Sequence, residues 1–359
     1  MSRPRVCLIY TGGTIGMIRE RRGKEYVLRL PEDPSGLLRR LRAEEEVRAL
    51  ADLDFVALLN KDSANIVPAD WTKIAQAIYR RLDQGYRGFV ITHGTDTLHF
   101  SAAALAFAFG DRLHLPIVFT GAQTIPEVAH GDARTNLLRA VKVAGEDLAE
   151  VVVAFGDHIF RGCRVWKKDA RRFDAFESPA ECPVGSVTEE IRLATGRVRP
   201  RRGRSEPLEF RPWFSDGLVQ LALIPGLEPE TLRPILHSEH CKGIVLQSFG
   251  AGNLPNQGIY SFTGFIREAV ALAKPVIITS QLPAGSTLAS PYVPGREALA
   301  AGAIPTGDMT NAAAIAKFRW VLHQVQEAID GGNLAPADKL ARIREMMGRV
   351  YVGEMTPAE

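Results

Sequence analysis

The sequence predicts an α/β fold with mostly parallel sheets, divided into two domains. Short runs rich in valine and isoleucine alternate with stretches of helical periodicity, as they do in such folds. The runs are continuously apolar, which is typical of parallel strands that are covered on both faces. At 359 residues the chain is also long for one hydrophobic core, so two domains are expected.

The elements follow in chain order from these patterns. Strands are predicted at residues 5–10, 87–92, 115–120, 150–155, 217–224, 242–248 and 275–279. Helices are predicted at residues 68–84, 97–109, 134–146, 229–237, 264–273, 308–327 and 336–348. The first of these helices has Pro68 at its start and Asp70 in its first turn, as is typical of a helix N-terminus.

The stretch 196–213, GRVRPRRGRSEPLEFRPW, marks the boundary between the domains. It is rich in arginine, proline and glycine and poor in aliphatic residues, a composition that predicts a linker. The N-terminal domain is therefore expected over residues 1–195 and the C-terminal domain over 214–359. Five arginines between Arg197 and Arg204 could also form an RNA-binding stripe. A solvated linker is favoured because no aromatic residues for base stacking interleave with them.

The composition excludes several classes of protein. Hydrophobic residues make up 46% and charged residues 24% of the chain, which argues against a disordered or fibrous protein. A formal net charge of +3 is too small to indicate a nucleic-acid or membrane partner. The four cysteines are scattered without a CxxC pair, as expected of reduced thiols in the cytoplasm. The N-terminal apolar stretch is too short for a signal peptide, and no run is long enough to span a membrane. We expect a soluble, cytoplasmic protein.

Two threonine-containing turns follow two of the predicted strands. They are TGGTIG at residues 11–16 and THGTDT at residues 92–97. Ligands of open α/β sheets bind at the carboxyl ends of strands, where both turns are expected. Glycines there let backbone N–H groups approach an oxyanion or a phosphate. A phosphate is disfavoured, because TGGTIG has neither the Lys-Ser/Thr of a P-loop nor the GxGxxG spacing.

A threonine hydroxyl acts as a nucleophile only if a base takes its proton. An uncharged lysine, oriented by a carboxylate and a hydroxyl, could be that base, but these patterns do not identify the lysine. Taken alone, Thr11 and Thr14 would be typical turn or N-cap residues, yet the second motif favours a chemical role. His93, Asp96 and His99 could suggest a metal site, but their spacing on a strand-to-helix turn does not converge on one point. No metal site is predicted.

The two threonine motifs, in this order and spacing, resemble the bacterial-type L-asparaginase/glutaminase family, in particular its cytoplasmic type I branch. The resemblance covers nearly the whole chain and implies a larger N-terminal and a smaller C-terminal α/β domain with mostly parallel sheets. It continues through Asp62-Ser63, TGAQ (120–123), Asp132, NLL (136–138), RGCRVWKKDARRFDAF (161–176), GAGN (250–253) and GDMTNAAAIAKF (307–318).

The resemblance implies a role for each matching residue. Thr14 matches the primary nucleophile, Thr95 and Asp96 match the second threonine and its aspartate, and Lys167 matches the family lysine. Tyr26 matches the tyrosine of the mobile loop when a short insertion is accepted. Substrate is expected to be bound by the segment that holds its α-carboxylate, by backbone groups of the turns, and by one residue of a neighbouring subunit. These residues are Asp62, Ser63, Gly13, Gly94, Ala122 and Asn253.

The function implied is hydrolysis of L-asparagine to L-aspartate and ammonia through a threonine acyl-enzyme, without cofactor or metal, in a homodimer or homotetramer. One alternative is the amidase subunit of a tRNA-dependent amidotransferase, which normally carries an additional N-terminal domain, whereas TGGT begins at residue 11 here. The other alternative is a non-catalytic amino-acid sensor, which the intact Thr14, Thr95, Asp96 and Lys167 disfavour.

Some positions depart from the family pattern. Asn65 stands where many members have aspartate, and Trp166 is bulky for a position beside the family lysine. Gln247 and Leu282 stand where polar ligands of a second, regulatory asparagine site would be expected. That site is therefore not predicted.

Overall fold

The structure is a computed structural model that describes residues 3–36, 39, 44–201, 207–287 and 292–357. The chain divides into two compact units, Met1–Pro212 and Trp213–Glu359. The division falls at the end of the segment predicted as a linker.

A mixed sheet forms the centre of the N-terminal unit. Within the described residues it has eight strands, in the order β4-β1-β5-β6-β7-β8-β11-β12. The first five are parallel, and the last three are each antiparallel to the preceding neighbour. The strands of this unit are β1 (Arg5–Gly12), β2 (Ile18–Arg22), β3 (Glu25–Arg29), β4 (Asp52–Lys61), β5 (Gly88–Thr92), β6 (Ile117–Thr120), β7 (Val151–Phe155), β8 (His158–Arg161), β9 (Trp166–Lys167), β10 (Phe176–Glu177), β11 (Gly185–Val187) and β12 (Ile191–Leu193).

Helices cover this sheet and form the core with it. They are α1 (Glu45–Leu50), α2 (Pro68–Tyr79), α3 (Leu98–Phe109) and α4 (Ala133–Ala144). The helix α4 contributes Leu137 and Val141 to a buried cluster that contains Val90 of β5 and Val118 of β6. Each such fully buried aliphatic side chain stabilises the fold by roughly 1.5–3 kcal/mol. The helix α3, which precedes β6, is buried at every residue except Phe100, which explains why its sequence is apolar apart from His99 and Ser101.

The C-terminal unit contains a smaller parallel sheet. As far as the structure describes this unit, the sheet has four strands in chain order: β13 (Leu218–Ala222), β14 (Gly243–Ser248), β15 (Val276–Ser280) and β16 (Ile304–Pro305). Its helices are α5 (Arg233–His237), α6 (Phe262–Ala271), α7 (Val293–Ala300), α8 (Asn311–Asp330) and α9 (Lys339–Gly348). The predicted two-domain α/β fold with mostly parallel sheets is confirmed.

The predicted strands and helices are present, with differences at their ends and some additional elements. The segment 229–237, predicted as one helix, is a 3-10 turn over Pro229–Leu232 followed by the short α5. The pattern missed the hairpin of β2 and β3 and the long strand β4. None of the residues in β2 or β3 is fully buried, and β4 lies at the edge of the sheet with one buried residue. The two hairpin strands therefore lack the continuous apolar runs that identified the inner strands, whereas β4 contains such a run, FVALL at residues 55–59, which the prediction missed.

The first part of the predicted linker packs against the N-terminal unit. The N–H of Arg199 donates to the carboxylate of Glu150 at 2.6 Å. The guanidinium of Arg201 donates to the carbonyl of Glu146 at 2.7 Å. Burial lowers the pKa of Arg201 to about 10. Residues 196–201 are thus bonded to this unit, while 202–206 lie outside the described residues. In neither unit is any described helix long and apolar enough to cross a membrane.

Candidate active site

The two threonine turns leave the same edge of the N-terminal sheet. The strands β1 and β5 are parallel neighbours, and the turns begin where these strands end. Gly13 has φ of 84°, and a side chain at this position would overlap the backbone of His93 and Gly94. The hydroxyl of Thr11 donates to the carbonyl of Thr92 at 2.7 Å. The two motifs, about eighty residues apart in sequence, therefore form one site.

The segment that follows β4 completes this edge. The N–H of Gly13 donates to the carbonyl of Lys61 at 3.2 Å. A Cβ atom on Gly94 would lie 2.5 Å from the hydroxyl of the buried Ser63, and the hydroxyl of Thr97 donates to the carbonyl of Ser63 at 2.7 Å. The glycines at 13 and 94 thus allow three strand ends to meet without intervening side chains.

The side chain of Asp62 shapes the turn that presents Ser63. Its Oδ1 atom accepts the N–H of Ala64 at 2.9 Å and caps the 3-10 turn Ser63–Asn65. The Asp62 side chain is half-buried and Asn65 is exposed. This segment therefore offers a buried hydroxyl and a fixed carboxylate beside the threonine turns.

Lys167 joins the second threonine to its aspartate. Its Nζ atom donates to Thr95 Oγ1 at 2.8 Å and to Asp96 Oδ1 at 2.6 Å. The lysine side chain is 11% exposed, while that of Asp96 is 69% exposed. The strand β9 holds the lysine through pairing with Phe176 of β10. The structure thus brings Thr95, Asp96 and Lys167 together, with the lysine shielded and the carboxylate open to solvent.

Gln123 is a residue of this cluster to which the sequence patterns assigned no role. Its Oε1 atom accepts the hydroxyl of Thr95 at 3.1 Å, and its Nε2 atom donates to the carbonyl of Arg172 at 3.2 Å. The carboxylate of Asp132 accepts its backbone N–H at 2.9 Å. Gln123 therefore sets the direction of the Thr95 hydroxyl, which accepts from lysine and donates to glutamine. The TGAQ stretch belongs to the family resemblance, but a glutamine within it carries no chemical signal by itself.

Ala122, which precedes Gln123, is fully buried within the hydrophobic core cluster of this unit. Its methyl group faces other apolar side chains of the core. Any contribution of Ala122 to substrate binding must therefore come from its backbone.

His93 is buried and has a defined tautomer. Its Nδ1 atom lies 2.8 Å from the carbonyl oxygen of Gly94, and a carbonyl only accepts, so this nitrogen carries the proton. Its Nε2 atom then accepts the hydroxyl of Ser101 at 2.9 Å. Burial lowers the pKa of His93 to about 4. Through these two hydrogen bonds the neutral ring stabilises the turn that carries Thr95.

His99 and Trp166 form the apolar wall beside the lysine. Burial, and then the charge of Lys167, lowers the pKa of His99 to about 3. The ring centroids of His99 and Trp166 are 5.5 Å apart in an edge-on arrangement. Trp166 therefore packs on the imidazole, which accounts for a bulky residue next to the family lysine. Among the described residues, no three histidine, cysteine, aspartate or glutamate side chains are grouped so that they could hold a metal ion.

Thr14 lies in the 3-10 turn Thr14–Gly16 directly after β1. Its carbonyl accepts the N–H of Met17 at 3.1 Å, and the residue is half-buried. Within the described part of the chain, its hydroxyl makes no hydrogen bond to protein. The hydroxyl is thus available to a bound molecule at the edge where the strand ends meet.

Two further residues were predicted for the site, Tyr26 and Asn253. Tyr26 is 63% exposed on the hairpin, where the guanidinium carbon of Arg19 lies 5.6 Å from its ring centroid. Among the described residues it makes no hydrogen bond to Thr14. Asn253 belongs to the C-terminal unit, where its backbone N–H donates to Phe249 at 2.9 Å and its carbonyl accepts from Phe249 at 3.1 Å. Their assigned roles stay predictions.

Comparison with known proteins agrees with this geometry. Residues 5–199 match the family model of the asparaginase N-terminal domain, and residues 219–330 match that of the glutaminase/asparaginase C-terminal domain. An L-asparaginase of Thermococcus kodakarensis is 35% identical over 98% of this chain and 99% of its own length. A glutamyl-tRNA(Gln) amidotransferase subunit of Methanosarcina mazei is 33% identical over 90% of this chain and 75% of its own length.

Two solved structures superpose on nearly the whole chain. The thermostable L-asparaginase from Thermococcus kodakarensis has a TM-score of 0.83 and 34% identity, covering 99% of this chain and 100% of that one. L-asparaginase I from Vibrio cholerae has a TM-score of 0.82 and 29% identity, with the same coverage. Matches to both domain models and to a full-length relative show that this chain belongs to the asparaginase/glutaminase family.

Proposed function

We propose that the protein is an L-asparaginase, which hydrolyses L-asparagine to L-aspartate and ammonia. The observation that carries this proposal is the shielded Nζ atom of Lys167 bonded to both Thr95 and Asp96, beside a turn that presents the free hydroxyl of Thr14. Full-length similarity to an L-asparaginase supports the same substrate. A pair of threonines with a lysine and an aspartate supplies a nucleophile and a path for its proton.

Charge decides how the amino acid binds at this edge. A carboxylate repels another carboxylate, so we assign the substrate α-carboxylate to the Ser63 hydroxyl and nearby N–H groups rather than to the Asp62 side chain. Asp62 acts indirectly, by capping the turn that presents Ser63. The exposed carboxylate of Asp96 attracts the α-ammonium. The α-carboxylate and the α-ammonium, which share one carbon, are then both held, and the side-chain amide is left to reach Thr14.

The reaction proceeds as a double displacement. The hydroxyl oxygen of Thr14 forms a bond with the side-chain amide carbon, and its proton passes through the Thr95–Lys167 pair to the amide nitrogen. The carbon–nitrogen bond then breaks and ammonia leaves. Water attacks the resulting ester, giving its proton back to Thr14 as L-aspartate is released. Because the N–H of Gly13 already donates to Lys61, we assign stabilisation of the oxyanion to the N–H groups of Thr14 and Thr95.

No step of this scheme calls for a cofactor, since the leaving amine and the nucleophile exchange only protons. We further infer a homodimer or homotetramer in the cytoplasm, with Asn253 reaching the site of a neighbouring subunit. The free thiols of Cys7, Cys163, Cys182 and Cys241 are in keeping with that compartment. Light scattering on the purified protein measures the oligomeric state, and a monomer that is fully active would overturn the role of Asn253.

A second candidate function is that of an amidotransferase subunit, because several relatives at 30–34% identity are subunits of glutamyl-tRNA(Gln) amidotransferases. The Thermococcus L-asparaginase is the more similar of the two, at 35% identity over 98% of this chain against 33% over 90% for the Methanosarcina mazei subunit. Turnover of free asparagine without tRNA is therefore the result we expect. Ammonia release that requires a glutamyl-tRNA would support the amidotransferase function instead.

The direct test is ammonia release from L-asparagine by the purified protein, with L-glutamine and other amides at equal concentration. We expect ammonia and L-aspartate in equal amounts, and a hydroxamate of aspartate when hydroxylamine competes with water for the acyl-enzyme. Thr95→Val serves as the control for contaminating activity. Binding of asparagine without turnover would show a sensor and overturn the proposal.

A further inference from the structure

In the chain, the hairpin of β2 and β3 follows the turn that carries Thr14. It begins directly after Gly16 and Met17, and the chain leaves it at Pro31. None of its strand residues is fully buried, so the hairpin has no hydrophobic core of its own. An isolated two-stranded hairpin is marginally stable in water. Its position, and that of the turn before it, must therefore be set by contacts at its base.

Tyr10 supports the first end of this segment. The residue is fully buried in β1. A Cβ atom on Gly16 would lie 2.5 Å from Tyr10 Cε2 and 2.6 Å from its hydroxyl oxygen. Gly16 therefore rests directly on the edge of the tyrosine ring. The N–H of Gly16 in turn donates to the carbonyl of Gly13 at 3.0 Å, which closes the turn around Thr14.

Asn60 supports the other end and is bonded to the same tyrosine. Its Oδ1 atom accepts the hydroxyl of Tyr10 at 3.2 Å, and its Nδ2 atom donates to the carbonyl of Pro31 at 2.7 Å. A side-chain amide suits this position, because its oxygen accepts from one group while its nitrogen donates to another. Burial raises the pKa of Tyr10 to about 12, so its hydroxyl stays a donor across the range in which enzymes are assayed.

We infer that Tyr10 and Asn60 are positioning residues for Thr14. This single pair holds both ends of residues 17–31, and with them the 3-10 turn on which the nucleophile lies. The inference rests on the proposed function, in which the Thr14 hydroxyl attacks the amide carbon. A small displacement of the turn would reduce attack, because the gain from orientation falls steeply when reacting groups are misplaced. Substrate binding by Ser63 and Asp96 would be preserved.

The test uses three variants and a matched control. Tyr10→Phe keeps the ring under Gly16 and removes the hydroxyl. Asn60→Asp keeps the acceptor and removes the donor, and Asn60→Ala removes both. Tyr86→Phe is the control. The hydroxyl of Tyr86 also donates to a side chain of β4, that of Asp54, at 2.7 Å, but Asp54 lies near the start of that strand.

We expect kcat/KM to fall roughly 3-fold in Tyr10→Phe and about 10-fold in both Asn60 variants, a tenfold loss being about 1.4 kcal/mol. The inhibition constant of L-aspartate should change less than about twofold, because the groups that bind its α-carboxylate and α-ammonium stay in place. Tryptic cleavage within the hairpin, at Arg21, Arg22 or Lys24, should be several-fold faster in the Asn60 variants, with little change for Tyr86→Phe.

Each failure has a distinct signature. If the wild-type protein does not turn over asparagine, the proposed function fails. The cleavage rates then still show whether Tyr10 and Asn60 hold the hairpin in place. If the wild type is active and the Asn60 variants match it in kcat/KM and in cleavage rate, the positioning role of Tyr10 and Asn60 is disproved. A loss of kcat/KM with an equal loss of L-aspartate binding would also overturn it, because the pair would then shape the substrate pocket rather than position Thr14.

Discussion

The side-chain nitrogen of Lys167 lies 2.8 Å from the hydroxyl of Thr95, although 72 positions separate the two residues in the chain. The lysine also donates to Asp96 at 2.6 Å, and the threonine donates to Gln123 at 3.1 Å. In this arrangement the lysine is a donor twice over. To receive the proton of Thr95, the lysine nitrogen must turn a lone pair toward that hydroxyl, and the hydroxyl must turn from glutamine to lysine. The hydrogen bond between Lys167 and Thr95 must therefore reverse its direction during the reaction.

Removal of either threonine hydroxyl should abolish most turnover. Thr14→Ala deletes the nucleophile, and Thr95→Val deletes the proton path while keeping the shape of the side chain. We expect kcat to fall by about 10²–10⁴ in each, the range typical of lost acid–base or nucleophilic groups. Circular dichroism and thermal unfolding should match the wild type. Near wild-type ammonia release by Thr14→Ala would contradict the double displacement as assigned.

Lys167 and its neighbour provide a matched pair. Lys167→Met keeps the apolar stem and removes the titrating group, so turnover should fall by about 10²-fold or more. Lys168 pairs with Asp174 at 2.7 Å on the surface, so Lys168→Met should be nearly silent. An inactive Lys168→Met beside an active Lys167→Met would refute the assignment.

The buried His93 makes the free energy of unfolding depend on pH. Its pKa is about 4 in the folded state and about 6.5 in an unfolded chain. The unfolded state therefore binds more protons between these values, and stability is lost as the pH falls from about 6.5 to 4. We expect a decrease of about 3 kcal/mol from this group, measured by urea unfolding. His93→Asn, which keeps a donor toward Gly94, should remove this contribution and reduce the slope of the profile, while the contribution of the buried His99, with a pKa of about 3, remains.

The control for that measurement is His240→Asn, because the side chain of His240 is 90% exposed. Its loss should leave the pH dependence of unfolding unchanged. A profile that is the same in His93→Asn and in the wild type would show that His93 does not carry the effect.

A buried ion pair holds the end of the C-terminal unit. Lys317 and Glu354 are fully buried, with Lys317 Nζ 2.7 Å from Glu354 Oε1 and bonded to the carbonyls of Met347 and Arg349. Lys317→Met leaves the glutamate charge unpaired, and we expect it to lower the free energy of unfolding by about 3–5 kcal/mol.

The double variant Lys317→Met/Glu354→Gln removes the unpaired charge and should recover part of this loss in urea unfolding. Arg342→Met, which breaks the exposed pair of Arg342 with Glu345, should cost less than about 1 kcal/mol. Equal effects of Lys317→Met and Arg342→Met would show that burial adds nothing to the pair.

The site was only partly predictable. TGGT and THGTDT predicted the two turns, because glycines after apolar runs mark places where the backbone leaves a strand. Gln123 carried no such signal, since its role arises from contact with Thr95 and with the loop at Arg172. The sequence patterns did not predict the Tyr10–Asn60 pair, for a similar reason. Asn60 directly follows the apolar run of β4, and nothing in the local sequence indicates that its amide bonds both Tyr10 and Pro31.

The sequence by itself determined the inner strands, the helices between them and the position of each threonine turn at a strand end. These features depend on local patterns: burial on both faces requires apolar runs, and a sharp exit from a strand requires glycine. Only the tertiary structure decided which strands are neighbours, and hence that Lys61, Gly13 and Gly94 meet at one edge. It also decided which lysine reaches Thr95. Those outcomes depend on hydrogen bonds between residues far apart in the chain, which no local pattern encodes.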